Sequence, residues 1–223
     1  MKILLVAATP AEVAPLLARC QAASTLPSFQ ANEHTINILL TGVGMLATAF
    51  NMGKHLATHS YDLAINAGIA GSFDFSIPLG EVVNISEDVL AELGAEDGDS
   101  FLSLSEMGFG DVSFAASDVQ QAPVPDTMKK VMESLKTVKA ITVNKVHGNE
   151  LSIAKTLSRF KAQTESMEGA AFLYACNQFQ LPCLQIRAIS NYVERRNREK
   201  WNIALAVKNL NDLILALLEL NNI

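Results

Sequence analysis

Short apolar runs alternate with amphipathic stretches along almost the whole chain. Lys2–Ala8 and Thr35–Thr41 read as strands. Ala11–Cys20 and Met45–His59, with apolar residues at helical spacing, read as the helices behind them. Four of the five residues in Leu63–Ala67 are apolar and the run is too short for a helix, which predicts a strand buried on both faces. Gly80–Ile85 resumes a strand pattern. From Asp88 to Pro125 Gly, Asp, Ser and Phe dominate and periodicity is lost, predicting a long excursion with some strand content. Such long loops in compact domains are often functional. Regularity returns with a helix at Thr127–Leu135, a strand at Lys139–Asn144, a helix at Ser152–Phe160 and a short strand at Gln163–Met167. A helix at Glu168–Phe179, a strand at Pro182–Ser190 and a long closing helix at Arg198–Leu220 complete the pattern. In that last helix Trp201, Leu205, Leu210, Leu213, Leu217 and Leu220 recur every three to five residues, so one face should pack on the sheet.

The alternation implies an α/β fold, one layered domain over residues 1–223, with no repeat or linker. The chain is 49% hydrophobic, yet no apolar run approaches the ~20 residues that span a bilayer. Met1-Lys2 leads straight into a strand, so no signal peptide is expected. Cys20, Cys176 and Cys183 have no metal-like spacing and fit reduced thiols in a cytoplasmic protein. A net charge of −6 argues against nonspecific binding of nucleic acid or anionic membrane. The chemistry therefore points to a small molecule.

Gly42-Val-Gly44-Met-Leu-Ala47 has the loose dinucleotide form, but Asp62 precedes the next strand instead of ending it, which favours a simple tight turn. His55 and His59 lie one helical turn apart with no third ligand evident, and Glu96-Asp97-Gly98-Asp99 lacks the rest of a calcium loop. No metal and no cofactor are expected. Thr9-Pro-Ala-Glu12 spells a capping box, so Glu12 has either a structural role or, facing a cleft, that of a general base. Glu168 sits where the helix dipole favours a carboxylate, and Asn191 after Ser190 reads as a turn. Arg187, a charge in an apolar strand, should be paired or functional. The ends of these strands and the starts of these helices converge where open α/β sheets hold their ligands. Glu194–Lys200 reads as a solvated helix start whose cations could hold an anionic part of a ligand.

Gly42-Val-Gly44, Asn66-Ala-Gly68-Ile-Ala-Gly71, Ser166-Met-Glu168-Gly-Ala-Ala171 and Arg187-Ala-Ile-Ser-Asn191, in this order, resemble the purine nucleoside phosphorylase and nucleosidase superfamily. Within it, Glu12 and Met167-Glu168 are similar to the methylthioadenosine/adenosylhomocysteine nucleosidases. Glu92–Asp99, Phe101–Gly108 and Ser190-Asn-Tyr-Val-Glu194 resemble the futalosine hydrolases more closely. The resemblance implies a three-layer fold with a central mixed β-sheet flanked by helices, a homo-oligomer (a homodimer first), and hydrolysis of a ribosyl–purine bond. It implies Glu12 as the base that activates water, Glu168 on the ribose hydroxyls, Met167 against the sugar and Arg187 positioning water and Glu12. Ala70 and Gly71, in a loop Gly68–Gly71, and Ser190 would line the base and sugar site. Asn66–Ser72 carries no arginine of the kind the phosphorylases use for phosphate, so water is the expected nucleophile. Where the adenine nucleosidases carry an acid, this chain has Asn191, which can donate to O6 of a 6-oxopurine and accept from protonated N7. The implied substrate is futalosine, releasing hypoxanthine on a route to menaquinone, with inosine or methylthioadenosine as alternatives. Phe114 and Val143–Asn144 are candidates for stacking on the base, and one of Arg195, Arg196 or Arg198 for the substrate's carboxylate.

Overall fold

The computed structural model describes residues 1–19 and 27–218. The first strand, β1 (Lys2–Ala7), shows how the layers arise. Ile3, Leu5 and Ala7 point into one apolar cluster, and Leu4 and Val6 into another. Successive side chains of a strand face opposite sides, so an unbroken apolar run feeds a core on each face. The first cluster is completed by Met128 and Met132 of α3 (Asp126–Glu133) and by Ala206, Leu210 and Ile214 of α6 (Ile203–Leu217). The second is completed by Met52 and Leu56 of α2 (Met45–Leu56) and by Phe172, Leu173 and Cys176 of α5 (Gly169–Gln178). Helices thus cover both faces of a mixed sheet. Each fully buried Leu or Ile contributes about 1.5–3 kcal/mol of transfer free energy.

The remaining elements are α1 (Ala14–Leu17), α4 (Glu150–Arg159) and ten further strands. These are β2 (Ser28–Ala31), β3 (His34–Leu40), β4 (Leu63–Ser72), β5 (Val82–Leu90), β6 (Gly94–Asp97), β7 (Ser100–Ser103), β8 (Ser113–Ala115), β9 (Lys136–Thr142), β10 (Thr164–Ser166) and β11 (Cys183–Tyr192). The nine-stranded sheet runs β10-β9-β5-β11-β4-β1-β3-β2, with β8 on β5, while β6 and β7 form a separate hairpin. In addition β10 pairs antiparallel with β4, Thr164 opposite Ser72 and Glu165 opposite Gly71. That pairing closes five strands into a ring. Among the described residues no helix is long and apolar enough to cross a membrane.

Several expectations are corrected. Ala11–Cys20 is not one helix: a 3₁₀ turn at Pro10–Val13 precedes α1, because Pro15 fits only the first turn of a new helix; Cys20 lies outside the described residues. Leu63–Ala67 and Gly80–Ile85 are parts of the longer β4 and β5. Gly68–Gly71 is therefore strand and not loop. Asn191 is also strand, paired with Gly71 after a register shift that bulges Ser190. The closing helix starts at Ile203, where Asn202 Oδ1 accepts from Leu205 N (3.2 Å). Asn197 caps a separate 3₁₀ turn at Arg198–Lys200 in the same way, its Oδ1 accepting from Glu199 N (3.1 Å). Leu220 lies outside the described residues. The excursion from Asp88 to Pro125 contains the end of β5, the β6–β7 hairpin and β8.

Candidate active site

A cavity of about 350 Å³ opens at the C-terminal ends of β1, β4 and β11, within the size range of small-ligand sites. Glu12, Ala70, Gly71, Met167, Glu168, Ser190 and Asn191 all line it. Glu12 serves both of the roles open to it. Its Oε2 accepts from Thr9 N (2.9 Å) and Thr9 Oγ1 (3.1 Å), which ties down the 3₁₀ turn. Its Oε1 accepts from Ile69 N (3.2 Å) at the cavity wall. A carboxylate has about four acceptor directions, so Oε1 keeps capacity for a water proton.

Glu168 is the N-cap residue of α5 but does not cap its own helix. Its Oε1 accepts from Gly44 N (2.9 Å) across the cavity. Gly42 and Gly44 have φ of +83° and +96°, the left-handed region that side chains disfavour, so this turn needs its glycines. The motif holds a carboxylate instead of a dinucleotide, and Asp62 Oδ2 accepts from Lys2 N (2.6 Å) at the opposite end of the sheet.

Arg187 is 1% exposed and does not itself line the cavity. Its Nη2 donates to Asn66 Oδ1 (2.5 Å). A Cβ placed on Gly68 would meet Arg187 Nη1 at 2.1 Å and Glu12 Oε1 at 2.9 Å. Gly68 thus leaves the space in which the guanidinium lies beside Glu12. Ser190 Oγ lies 3.2 Å from Ala70 O and donates to Asn191 Oδ1 (2.9 Å), and Asn191 Nδ2 donates to Tyr192 O (3.1 Å). Those contacts fix which way the Asn191 amide points.

Sequence reasoning missed several groups. Glu165 and His147 line the same cavity and are almost wholly buried. Glu165 Oε1 accepts from His147 N (2.9 Å) and Oε2 from His147 Nδ1 (2.6 Å), which puts the ring proton on Nδ1. His147 Nε2 lies 2.9 Å from Thr156 Oγ1. Trp201 also lines the cavity instead of packing on the sheet, with the Arg196 guanidinium 5.2 Å from its ring. Behind the start of α5, Asp88 is fully buried. Its Oδ1 accepts from Thr142 Oγ1 (2.8 Å) and its Oδ2 from Gln185 Nε2 (2.8 Å). Burial pushes its carboxyl up to about 6, against the opposing pull of those bonds and of Arg187. The rule that flagged Arg187, a charge in an apolar strand, would also have flagged Asp88 and Glu165.

Other candidates fall away from the cavity. Phe114 packs in the second apolar cluster, edge-to-face with Tyr174. Val143 is buried in a small cluster of its own, and Asn144 N donates to Glu92 Oε2 (2.7 Å). Neither lines the cavity, and of the three arginines only Arg196 does. Arg195 faces a groove outside it. His55 and His59 stack on each other, and His55 Nε2 meets the Tyr61 hydroxyl at 2.7 Å. Among the described residues no cluster of three or more His, Cys, Asp or Glu could hold a metal.

Comparison with known proteins accounts for this arrangement. A futalosine hydrolase of Streptomyces coelicolor is 30% identical over 184 residues, which cover 80% of this chain and 76% of the relative. The structure of a futalosine hydrolase from Helicobacter pylori superposes with a TM-score of 0.83 at 14% identity, over 98% of this chain and 97% of that one. A methylthioadenosine/adenosylhomocysteine nucleosidase from Colwellia psychrerythraea in complex with adenine superposes with a TM-score of 0.82 at 24% identity, over 98% of this chain and 95% of that one. The family model of the phosphorylase superfamily matches residues 2–219, and the chain belongs to that superfamily.

Proposed function

We propose that the protein hydrolyses the N-glycosidic bond of futalosine, releasing hypoxanthine. The carrying observation is that Glu12, Glu168 and Asn191 share one cavity, each held by a hydrogen bond from its surroundings. In this reading Glu12 removes the proton of the attacking water, as a carboxylate within hydrogen-bond reach can. Glu168 holds the ribose hydroxyls and Met167 packs against the sugar, with Ala70, Gly71 and Ser190 forming the wall. The leaving purine gains negative charge as the bond lengthens, and Asn191 opposes that charge from O6 and N7. Such fixed groups act mainly by orientation and by electrostatic stabilisation. Arg187 holds Glu12 and the water in place from behind Gly68.

The names of the relatives support futalosine over other nucleosides, and the Asn191 amide supports a 6-oxopurine. Absence of Lys and Arg from the 66–72 segment favours water over phosphate. Incubating the protein with futalosine, inosine and methylthioadenosine, with and without phosphate, tests the reading. Hypoxanthine should appear from futalosine at a rate independent of phosphate; phosphate-dependent cleavage, or turnover of methylthioadenosine alone, rejects it. One domain over residues 1–223 carries the activity in this proposal. It acts as a homodimer, for which the exposed Leu46 (83%) and Phe50 (67%) on α2 offer an apolar face. A solution mass equal to one chain would reject the dimer.

A further inference from the structure

Glu168 occupies the N-cap position of α5, yet its side chain makes no cap. Its carboxylate instead crosses the cavity to Gly44 N and keeps acceptor capacity for a ligand. The first amides of a helix have no partner within it, and the N-cap side chain is their usual acceptor. At α5 two other residues take over that duty. Gly169 N donates to Ser166 Oγ (3.3 Å) and Ala170 N to Thr142 Oγ1 (2.8 Å). Ser166 and Thr142 are partners in the parallel pairing of β10 with β9, so their hydroxyls reach the helix start from adjacent strands.

The shorter of the two contacts is itself anchored. Thr142 Oγ1 donates its one proton to Asp88 Oδ1 (2.8 Å), which leaves its lone pairs for Ala170 N. Gln185 Nε2 holds the other oxygen of Asp88 (2.8 Å). All three side chains are completely buried. A methyl group on Gly169 would overlap Asp88 Oδ2 and Gln185 Nε2, so the glycine lets the carboxylate lie directly under the first residue of α5. A negative charge in that place suits the helix dipole. Burying a carboxylate so deeply still costs stability, the usual mark of a group kept for something other than packing.

We infer that Thr142, oriented by Asp88, is a positioning residue that caps α5 from a neighbouring strand and so frees Glu168 to meet the ribose hydroxyls. The inference rests on the reading of Glu168 as the ribose-binding carboxylate. A glutamate that capped its own helix would turn back toward Ala170 N or Ala171 N and away from the sugar. Thr142 occupies the first of these amides, and Asp88 fixes the hydroxyl that does so. Losing either leaves Ala170 N open, and the carboxylate is then divided between its own helix and the ligand. A misplacement of about 1 Å in a group that orients substrate can cost a hundredfold in rate.

The test compares futalosine with its 2′,3′-dideoxy analogue, which offers Glu168 no hydroxyl. Thr142→Val keeps the shape of the side chain and removes the hydroxyl. In that variant kcat/KM on futalosine should fall roughly tenfold to a hundredfold, while kcat/KM on the dideoxy analogue changes by less than about threefold. Thr142→Ser restores the hydroxyl and should restore the preference for the hydroxylated sugar. Asp88→Leu, which leaves the hydroxyl without its anchor, should narrow the preference as Thr142→Val does. If the valine variant does not fold, Thr142→Ala supplies the same comparison. An equal loss on both substrates makes the threonine a structural support only and overturns the inference. An unchanged preference in Thr142→Val or Asp88→Leu, or a serine variant that behaves like the valine one, also overturns it and leaves the hydrolase reading standing. A wild type indifferent to the sugar hydroxyls would instead defeat the reading of Glu168 on which the inference rests.

Discussion

Replacing Asp88 with Asn should stabilise the protein at neutral pH and leave it unchanged in acid. Asp88 is fully buried, and its carboxyl is displaced from an ordinary 3.8 to about 6, chiefly by burial. The native state therefore binds this proton more tightly than the unfolded chain does. Between about pH 4 and pH 6 the native state holds more protons, so stability falls as pH rises through that window and stays low above it. A displacement of that size corresponds to about 3 kcal/mol at pH 7 and above. Asparagine carries no charge to desolvate. Thr142 Oγ1 can still donate to its oxygen, and Gln185 Oε1, which has no partner, can accept from its amide once the Gln185 side chain turns over. For a chain of this length about 3 kcal/mol is a rise in Tm of roughly 6–12 °C. Melting both proteins from pH 4 to pH 8 should give curves that coincide at pH 4 and separate above pH 6. A variant that melts below the parent at pH 7.5, or a difference independent of pH, refutes the reasoning.

The remaining expectations concern the cavity. Glu12→Gln should lower kcat on futalosine by about 10²–10⁴, as expected for loss of a general base, with little change in KM; a variant that keeps full kcat removes Glu12 from the chemistry. Gly71→Ala would put a methyl group 2.9 Å from Val193 Cγ2 and 3.2 Å from Asn191 Nδ2, tilting the amide and raising KM for futalosine and Ki for hypoxanthine together. Unchanged constants in that variant would mean the base does not rest there. Arg196→Ala should reduce the preference for futalosine over inosine by roughly tenfold if this cation meets the substrate's carboxylate, while Arg195→Ala and Arg198→Ala, whose side chains lie off the cavity, leave the preference intact. Identical selectivity in all three variants would rule the cation out.

Much of the fold could be read from periodicity because β1 and β11 are apolar on both faces and α2 and α5 carry buried stripes. The strand β2, with two buried positions among four residues, gives too weak a pattern to register. Closure of the ring left no trace in the sequence, since the pairing of Thr164 with Ser72 joins residues far apart in the chain and depends on the twist of every strand between them. At the site, Arg187 was visible as a charge in an apolar strand, and Glu12 and Glu168 as carboxylates at helix starts. Trp201 was misjudged because one apolar residue fits a helical stripe as well as a cavity wall, and only the Asn202 cap shows that the helix starts after it. His147 sits outside any regular element, so its pairing with Glu165 has no spacing to announce it.

The ring of strands also links ligand binding to the whole fold. The cavity takes its groups from the chain near residues 12, 71, 147, 168 and 191, so no short segment of the chain contains them all. A partly unfolded form therefore has no site, and a ligand binds only the native state. Mass action then adds the binding free energy to global stability, about 2.7 kcal/mol at a ligand concentration one hundred times Kd. Occupancy should slow hydrogen exchange even in strands far from the cavity, and the concentration of substrate around the enzyme becomes one of the terms that sets its lifetime.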